Sequence, residues 1–172
     1  MNEREVRFLE FYDQNVAKIY RYIYFRVSSE EQAQDLTSEV FLKCWQRMNS
    51  RKENIANLRA FFYQVARNSI ADFFRQRSHS PLSLSEITEN SLADFPEKKS
   101  QPLDQVSATL EIDLIKKALN KLSGDYQEII IWRYLDELEI SEIAEIMEKK
   151  EGAVRTLLSR ALAELRKVLE GK

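Results

Sequence analysis

Few side chains in this sequence could act as nucleophiles, general bases or metal ligands. Among its 172 residues there is one cysteine, Cys44, and one histidine, His79. No glycine-rich loop accompanies them, so the sequence predicts no enzyme and no metal or cofactor site. We interpret Cys44 as a small apolar residue on a helix face.

A different chemistry is indicated in a predicted helix from Leu58 to Arg77, for which Asn57 is the expected cap. With about 100° of rotation per residue, it has an apolar stripe that we expect to be buried. This stripe consists of Leu58, Phe61, Phe62, Val65, Ser69 and Phe73. A second stripe, about 100° away, consists of Arg59, Tyr63, Arg67, Ile70, Phe74 and Arg77. Guanidinium groups can follow phosphates and rings can stack on unpaired bases, which favours single-stranded nucleic acid as a ligand. The alternative is that Ile70 and Phe74 pack against the preceding aromatic-rich helices.

The composition favours an all-α fold. The chain has only three glycines and three prolines, whereas a sheet protein needs such residues at many tight turns. Its 26 basic and 28 acidic residues give a formal charge of −2, so DNA binding through net positive charge alone is excluded. Basic residues are concentrated at 47–77 and 149–167, where a polyanion would bind. Solvated helix faces are the alternative.

Residues 78–105 divide the chain. They contain all three prolines and six serines, and they keep no helical period. We interpret them as a flexible linker between an N-terminal helical domain, residues 1–77, and a C-terminal one, residues 106–172. Charged residues interrupt the first twenty positions, and no run of apolar residues is long enough for a membrane span. We therefore expect a cytoplasmic protein without membrane insertion.

A helix is expected to begin at Ser29, where the residues to Gln32 have the form of a capping box. One side of this helix is apolar and should be buried: Leu36, Val40, Phe41, Cys44, Trp45 and Met48. The opposite side carries Asp35, Glu39, Lys43 and Gln46. Leu42 projects among these polar residues. That position is compatible with a docking surface, although a single exposed leucine is normal on any protein.

The stretch from Ile140 to Leu169 predicts a helix-turn-helix. Ser141 is the expected cap of a short helix, a turn follows at 148–150, and a long helix begins near Glu151. Ala144 and Ala153 are the small residues expected where the two helices touch. The long helix should bury Val154, Leu157, Leu158, Ala161, Leu162, Leu165 and Leu169, and expose Arg155, Thr156, Ser159, Arg160 and Lys167. Arginine can make two bonds to guanine, but many helix pairs with this pattern bind no DNA.

Taken together, these segments resemble a bacterial RNA polymerase sigma factor of the small extracytoplasmic-function (ECF) type. The resemblance lies in DLTSEVFLKCW at 35–45, LRAFFYQVARN at 58–68, the polar linker and the motif at 140–169. It covers nearly the whole chain in the same order. It implies an all-α protein with two small helical domains joined by a flexible linker, the second of them a helix-turn-helix domain.

The resemblance also implies roles for individual residues. The surface expected to bind the β′ clamp of the polymerase consists of Asp35, Glu39, Leu42 and Gln46. The residues expected to capture unpaired minus-10 bases are Ser50, Asn54, Asn57, Arg59, Tyr63 and Arg67. Those expected to read the minus-35 duplex are Arg155, Thr156, Ser159 and Arg160. The implied partners are core RNA polymerase, through its β′ clamp and β subunits, and promoter DNA. Many relatives also have an anti-sigma factor, and the sequence leaves open whether this chain has one.

Two residues depart from the family pattern. Phe61 stands where a tryptophan is common, and Leu157 follows Thr156 where a basic residue is frequent, so minus-35 binding should depend more on Arg155 and Arg160. Two other functions stay open. One is a dimeric helix-turn-helix repressor or activator that binds duplex DNA by itself, and the other is a helical adaptor that binds only proteins.

Overall fold

The computed structural model describes residues 1–50, 54–78 and 103–171, which confirms the predicted all-α fold. The described residues form seven α-helices and contain no strand. The helices are α1 (Glu3–Val27), α2 (Glu30–Ser50), α3 (Leu58–Ser78), α4 (Leu103–Asn120), α5 (Gly124–Ile130), α6 (Ile140–Met147) and α7 (Glu151–Leu169). A π-helical turn, Ile131–Leu135, continues α5. His79 and nearly all of the predicted linker lie outside the described residues. We call α1–α3 the N-terminal unit and α4–α7 the C-terminal unit.

The starts of α2 and α3 depend on polar side chains that satisfy free backbone donors. The Asn57 Oδ1 atom accepts a hydrogen bond from the Ala60 amide at 3.1 Å, as predicted. At α2 the Ser29 Oγ atom accepts from the Gln32 amide at 3.4 Å. The capping box predicted there is incomplete, because Gln32 Oε1 has no hydrogen-bond partner in the described part of the chain.

The N-terminal unit is built around an aromatic core. Phe62 of α3 is fully buried, and its ring centroid lies 4.2 Å from that of Phe11 and 5.1 Å from that of Phe41. Cys44 is also fully buried on the apolar side of α2, which confirms its interpretation as a core residue. Burial raises the pKa of the Cys44 thiol.

The orientation of α4 differs from the prediction. In the sequence, apolar residues recur at intervals of four at Val106, Leu110, Leu114 and Ala118, which predicts one buried helix face. Ala118 is buried, but Leu114 is 64% exposed, whereas Lys116 is 6% exposed. The Lys116 ammonium lies 4.3 Å from the centroid of the Tyr24 ring and donates to its hydroxyl at 3.2 Å. A cation is attracted to the face of an aromatic ring, so this contact with α1 favours the burial of Lys116.

The two units share one continuous hydrophobic core. Its largest fully buried side chain is Trp132, in the π-helical turn of the C-terminal unit. The Trp132 ring centroid lies 5.4 Å from that of Tyr22 and 6.3 Å from that of Tyr63, both in the N-terminal unit. Helix α3 therefore packs on the C-terminal unit as well as on α1 and α2.

Candidate functional site

The predicted docking surface on α2 is exposed as expected. Leu42 is 55% exposed, and Asp35, Glu39 and Gln46 beside it are also exposed. The Glu39 carboxylate is paired with the Lys43 ammonium one turn further along the helix. An apolar side chain therefore stands on this surface with polar groups beside it.

Sequence reasoning missed an apolar groove that adjoins Leu42. The groove has a volume of about 530 Å³ and lies between α1 and α2. On the α1 side its lining includes Leu9 and Tyr12, which are 47% and 40% exposed, and Val16. Their spacing of three and four residues is the signal that could have revealed an apolar stripe on α1. Leu42 thus forms one edge of a larger apolar surface.

Three residues of the predicted basic and aromatic stripe of α3, namely Arg59, Tyr63 and Arg67, contact the C-terminal unit. Tyr63 and Ile70 are buried at 0% and 1% exposure, so the expectation that they form an open surface is wrong. Phe74 is 40% exposed, and the Arg26 guanidinium carbon lies 5.5 Å from the centroid of its ring. The reason is that α3 has packing partners on two sides.

Arg59 lies at the start of α3 and is bound by a carboxylate of α6. Its Nη2 atom lies 2.7 Å from Glu142 Oε1 and 2.6 Å from Glu142 Oε2, and its Nε atom donates to Oε1 at 3.2 Å. The two side chains are 32% and 15% exposed. A two-oxygen arrangement of this kind is among the strongest ion pairs that arginine forms.

One turn further along α3, Tyr63 contacts Asp136, which follows the π-helical turn. The Tyr63 hydroxyl donates to Asp136 Oδ2 at 2.7 Å, and Arg21 Nη2 donates to Asp136 Oδ1 at 2.6 Å. Burial raises the pKa of Asp136, although the bonds from Arg21 and Tyr63 oppose that shift. Burial and the neighbouring Asp136 raise the pKa of Tyr63, which keeps its hydroxyl protonated as a donor.

The third contact joins Arg67 to α5. Its Nε atom donates to Glu128 Oε2 at 3.0 Å, and its Nη2 atom lies 3.2 Å from Asp125 Oδ1. Glu128 is only 4% exposed and also accepts from the Tyr22 hydroxyl at 2.9 Å. Partial burial acts to lower the pKa of Arg67, but the charge of Glu128, its hydrogen bond and the charge of Asp125 together outweigh burial, so the pKa is raised. Arg67 stays a cation.

The polar residues before α3 have local partners. The Ser50 hydroxyl donates to the Arg47 carbonyl at 3.2 Å, and the Asn54 side-chain oxygen accepts from Arg7 of α1. Asn57 uses its side-chain oxygen as the cap of α3, so its NH2 group is the part that could reach a base. Residues 51–53 of the same loop lie outside the described residues.

The predicted helix-turn-helix is present as α6 and α7. Glu148 joins the two helices and has a φ of 55°, in the left-handed region. Ser141 does not cap α6. The cap is Glu139, whose amide donates to Glu142 Oε2 at 3.2 Å. Val154 and Ala161 are buried as expected. Ala153, which was expected at the contact between the two helices, and Leu169, which was expected to be buried, are both exposed. The face of α7 that packs on its neighbours is therefore narrower than predicted.

The outer face of α7 carries all four predicted minus-35 residues in exposed positions: Arg155, Thr156, Ser159 and Arg160. Arg155 Nη2 lies 3.2 Å from Glu151 Oε2 one turn earlier. The Thr156 hydroxyl donates to the Gly152 carbonyl at 3.1 Å. This face therefore presents guanidinium and hydroxyl groups to solvent.

Among the described helices, none combines the length and the apolar character that a bilayer span requires.

Comparison with known proteins connects these surfaces to a family. Residues 11–80 match the family model described as Sigma-70 region 2, and residues 112–165 match Sigma-70, region 4. The ECF RNA polymerase sigma factor SigL of Mycobacterium tuberculosis is 30% identical over 159 residues, which cover 92% of this chain and 86% of SigL. BldN of Streptomyces coelicolor, another ECF RNA polymerase sigma factor, is 35% identical over 162 residues, which cover 94% of this chain but only 60% of BldN.

Solved structures support the same fold. The structure of CnrH in complex with the cytosolic domain of CnrY has a TM-score of 0.71 at 16% identity, with 98% of this chain and 90% of that chain covered. The sigma factor RpoE of Bartonella quintana, in complex with the anti-sigma factor NepR, has a TM-score of 0.69 at 23% identity, with 95% and 97% covered. The family matches and the identity to SigL establish that this chain belongs to the ECF RNA polymerase sigma factors.

Proposed function

We propose that this sigma factor directs core RNA polymerase to promoters by reading the minus-10 element as unpaired bases and the minus-35 element as duplex. The observation that carries the proposal is the exposure of Leu42 at the edge of an apolar groove, in the part of the chain that matches region 2. Such a surface is typical of a protein-binding site. The exposed polar face of α7 provides a separate DNA-binding surface.

The proposed polymerase site combines an apolar anchor with a polar rim. Leu42 would insert between apolar side chains of the β′ clamp, while Asp35, Glu39 and Gln46 would bond to polar groups around it. Buried anchors surrounded by polar contacts supply most of the affinity in protein interfaces. The groove beside Leu42 widens the area that a clamp helix can cover.

The proposed minus-10 site consists of the loop before α3 and the first turns of this helix. Amide and hydroxyl groups of Ser50, Asn54 and Asn57 would bond to the edges of unpaired bases. Arg59 and Arg67 would bind phosphates, and the Tyr63 ring would stack on a base. In the structure the two arginines are paired with carboxylates of the C-terminal unit and Tyr63 is fully buried, so these contacts require the C-terminal unit to move away from α3. Unstacking a base costs a few kcal/mol, and these contacts would offset that cost. No catalytic group is required, because strand opening follows from preferential binding of unpaired bases.

The proposed minus-35 site lies on the N-terminal half of α7, as in other helix-turn-helix proteins. Arg155 and Arg160 would contact base edges or phosphates in the major groove, with Thr156 and Ser159 beside them. The formal charge of −2 implies weak binding by the free protein, because nonspecific affinity depends on the phosphates neutralised. Polymerase would hold two weak readers at a fixed spacing, which raises their effective concentration.

A transcription assay tests the proposed function directly. We expect the purified protein with core polymerase to give a run-off transcript from a promoter identified by crosslinking the polymerase complex in cells. Core polymerase alone is the control and should give none. The repressor hypothesis would be favoured by a different set of results. The run-off assay would give no transcript, a pull-down would recover no polymerase, and the protein alone would give a footprint on an operator.

The Arg155→Ala variant tests the minus-35 site. We expect it to weaken binding of the holoenzyme to a promoter with an intact minus-35 element by about 1–3 kcal/mol, the loss typical of an arginine that reads a base. The fold should be preserved, because Arg155 is 63% exposed and its pair with Glu151 lies on the surface. Competition binding with base-substituted promoters measures the effect.

Arg166→Ala is the matched control, since Arg166 is an exposed arginine in the last turn of the same helix. It should bind the promoter as the wild type does. A loss that is equal on unrelated sequences would identify Arg155 as a phosphate contact and not a base reader.

A further inference from the structure

Two arginines at the start of α1 bond to the end of α2 and to the residues just before α3. Arg7 Nη1 donates to the side-chain oxygen of Asn54, and Arg7 Nη2 donates to the Ile55 carbonyl at 3.3 Å. Arg4 Nη1 donates to the Met48 carbonyl, in the last turn of α2, at 3.4 Å. The two arginines are three positions apart, so they lie on the same side of α1.

The first turn of α1 is fixed by a complete capping box. The Asn2 side-chain oxygen accepts from the Glu5 amide at 2.9 Å, and Glu5 Oε2 accepts from the Asn2 amide at 2.8 Å. A cation is unfavourable at this end of a helix, because the dipole is positive there. Arg4 offsets that effect by bonding to the C-terminal end of α2, where basic groups are favourable. The capping box thus gives Arg4 and Arg7 a defined direction.

We propose that Arg7 is a positioning residue of the minus-10 site, which orients Asn54 so that its NH2 group faces the unpaired base. The inference rests on the proposed function, because it assumes that Asn54 contacts minus-10 bases. Arg7 acts through Asn54 and does not touch the DNA. No residue of α1 was among those expected to read the minus-10 element.

The orientation of the Asn54 amide follows from the chemistry of its partner. An asparagine side chain has one accepting end and one donating end, whereas a guanidinium group can only donate. Asn54 must therefore turn its oxygen toward Arg7, which leaves its NH2 group for another ligand. Within the described ranges, Arg7 is the one group that bonds to the Asn54 side chain, so this contact decides which end of the amide faces outward.

Asn57 has the same orientation for a different reason. Its side-chain oxygen accepts from the Ala60 amide at 3.1 Å, which leaves its NH2 group to donate. Two amides of the proposed site therefore present donors, and they select a base edge that carries a ring nitrogen or a carbonyl oxygen. A base with an amino group at the same place is disfavoured, because two donors would then face each other without an acceptor.

The Arg7→Ala variant tests the proposal in the holoenzyme. Asn54 is exposed, so without Arg7 its amide is able to turn over and pair with either kind of base. Alanine is the best helix former, so α1 should be preserved. The probe is the promoter identified for the run-off assay, with the minus-10 element already unpaired and each of its nontemplate bases replaced in turn by the other three.

Competition binding with this panel gives the base preference. At the position that Asn54 contacts, the wild type should prefer the best base over one with an amino group by about tenfold, and Arg7→Ala should reduce this ratio to about twofold. Affinity for the minus-35 element should not change. An unchanged base preference in Arg7→Ala would overturn the proposal.

The matched control is Arg75→Ala. Arg75 is an exposed arginine of the last turn of α3, and its ion pair is with Asp72 of the same helix. This variant removes one positive charge from the same unit and should keep the base preference of the wild type. An equal loss of preference in Arg7→Ala and Arg75→Ala would overturn the proposal, because charge alone would then explain the effect.

The orientation of Asn54 can be measured in the free chain without DNA. The ¹⁵N relaxation of its side-chain NH2 group should give an order parameter of about 0.8 in the wild type and in Arg75→Ala, and below about 0.6 in Arg7→Ala. The same order parameter in the wild type and in Arg7→Ala would overturn the positioning role.

Arg7→Ala in an Asn54→Ala background distinguishes positioning from direct contact. If Arg7 acts only through Asn54, the double variant should have the same base preference as Asn54→Ala. A further loss would overturn the proposal, because Arg7 would then contact the DNA itself. A wild-type holoenzyme with no base preference at the minus-10 element would refute the proposed function, whereas the relaxation data would still confirm that Arg7 orients Asn54.

Discussion

The Leu42→Glu variant is expected to lose binding to core polymerase while it keeps its fold. Truncation or disruption of a central apolar anchor typically costs about 2 kcal/mol or more, so affinity should fall by about 30-fold at least. A carboxylate at this position would be desolvated against the apolar surface of the partner. In the free protein it meets water, because Leu42 is 55% exposed, and stability should change by only about 0.5 kcal/mol. Surface plasmon resonance with immobilised core polymerase measures the binding.

Leu114→Glu provides the matched control. Leu114 is a second exposed leucine, 64% accessible, on α4 of the C-terminal unit. This variant should bind polymerase as the wild type does. Wild-type affinity of Leu42→Glu would refute the docking surface, and a large drop in its melting temperature would identify Leu42 as a structural residue.

The second large effect is expected for Trp132→Ala, which should destabilise the protein by about 3–5 kcal/mol. Trp132 is fully buried and touches tyrosines of α1 and α3, so its removal leaves a cavity at the junction of the two units. The urea midpoint of unfolding, followed by circular dichroism, measures the loss.

Tyr134→Ala is the control for this measurement, since Tyr134 lies in the same π-helical turn but is 54% exposed. Its effect should stay within about 0.5 kcal/mol. If Trp132→Ala lowers the free energy of unfolding by less than about 1 kcal/mol, the surroundings of Trp132 are already open in solution. Replacing a fully buried tryptophan by alanine costs several times more.

Helix α2 shows what a single sequence can predict. Its apolar residues follow one helical face, which packs on α1 and α3. The pattern identified the buried residues from Leu36 to Met48 correctly, except for Trp45, which is half-buried and lines the groove. The same pattern marked Leu42 as exposed, and the structure confirms this. A helix that is covered on one side has one apolar stripe, which periodicity can detect.

Helix α3 was predicted less well because its neighbours come from distant parts of the chain. Tyr63 and Ile70 looked like an open surface, but both are buried, since α3 has a second side covered by the C-terminal unit. The residues that cover this side, such as Glu128 and Asp136, come from much later in the sequence than α3. Periodicity describes which residues share a face of a helix, but it carries no information about what covers that face.

The sheltered position of Cys44 has a consequence for how this sigma factor could respond to oxidants. The thiolate is the nucleophile that attacks peroxide and disulfide reagents, and it must be accessible to them. The only sulfhydryl of this chain has a raised pKa and a fully enclosed sulfur, so it is poorly suited to sense redox changes. An oxidative signal that controlled this factor would have to act by a route other than this thiol.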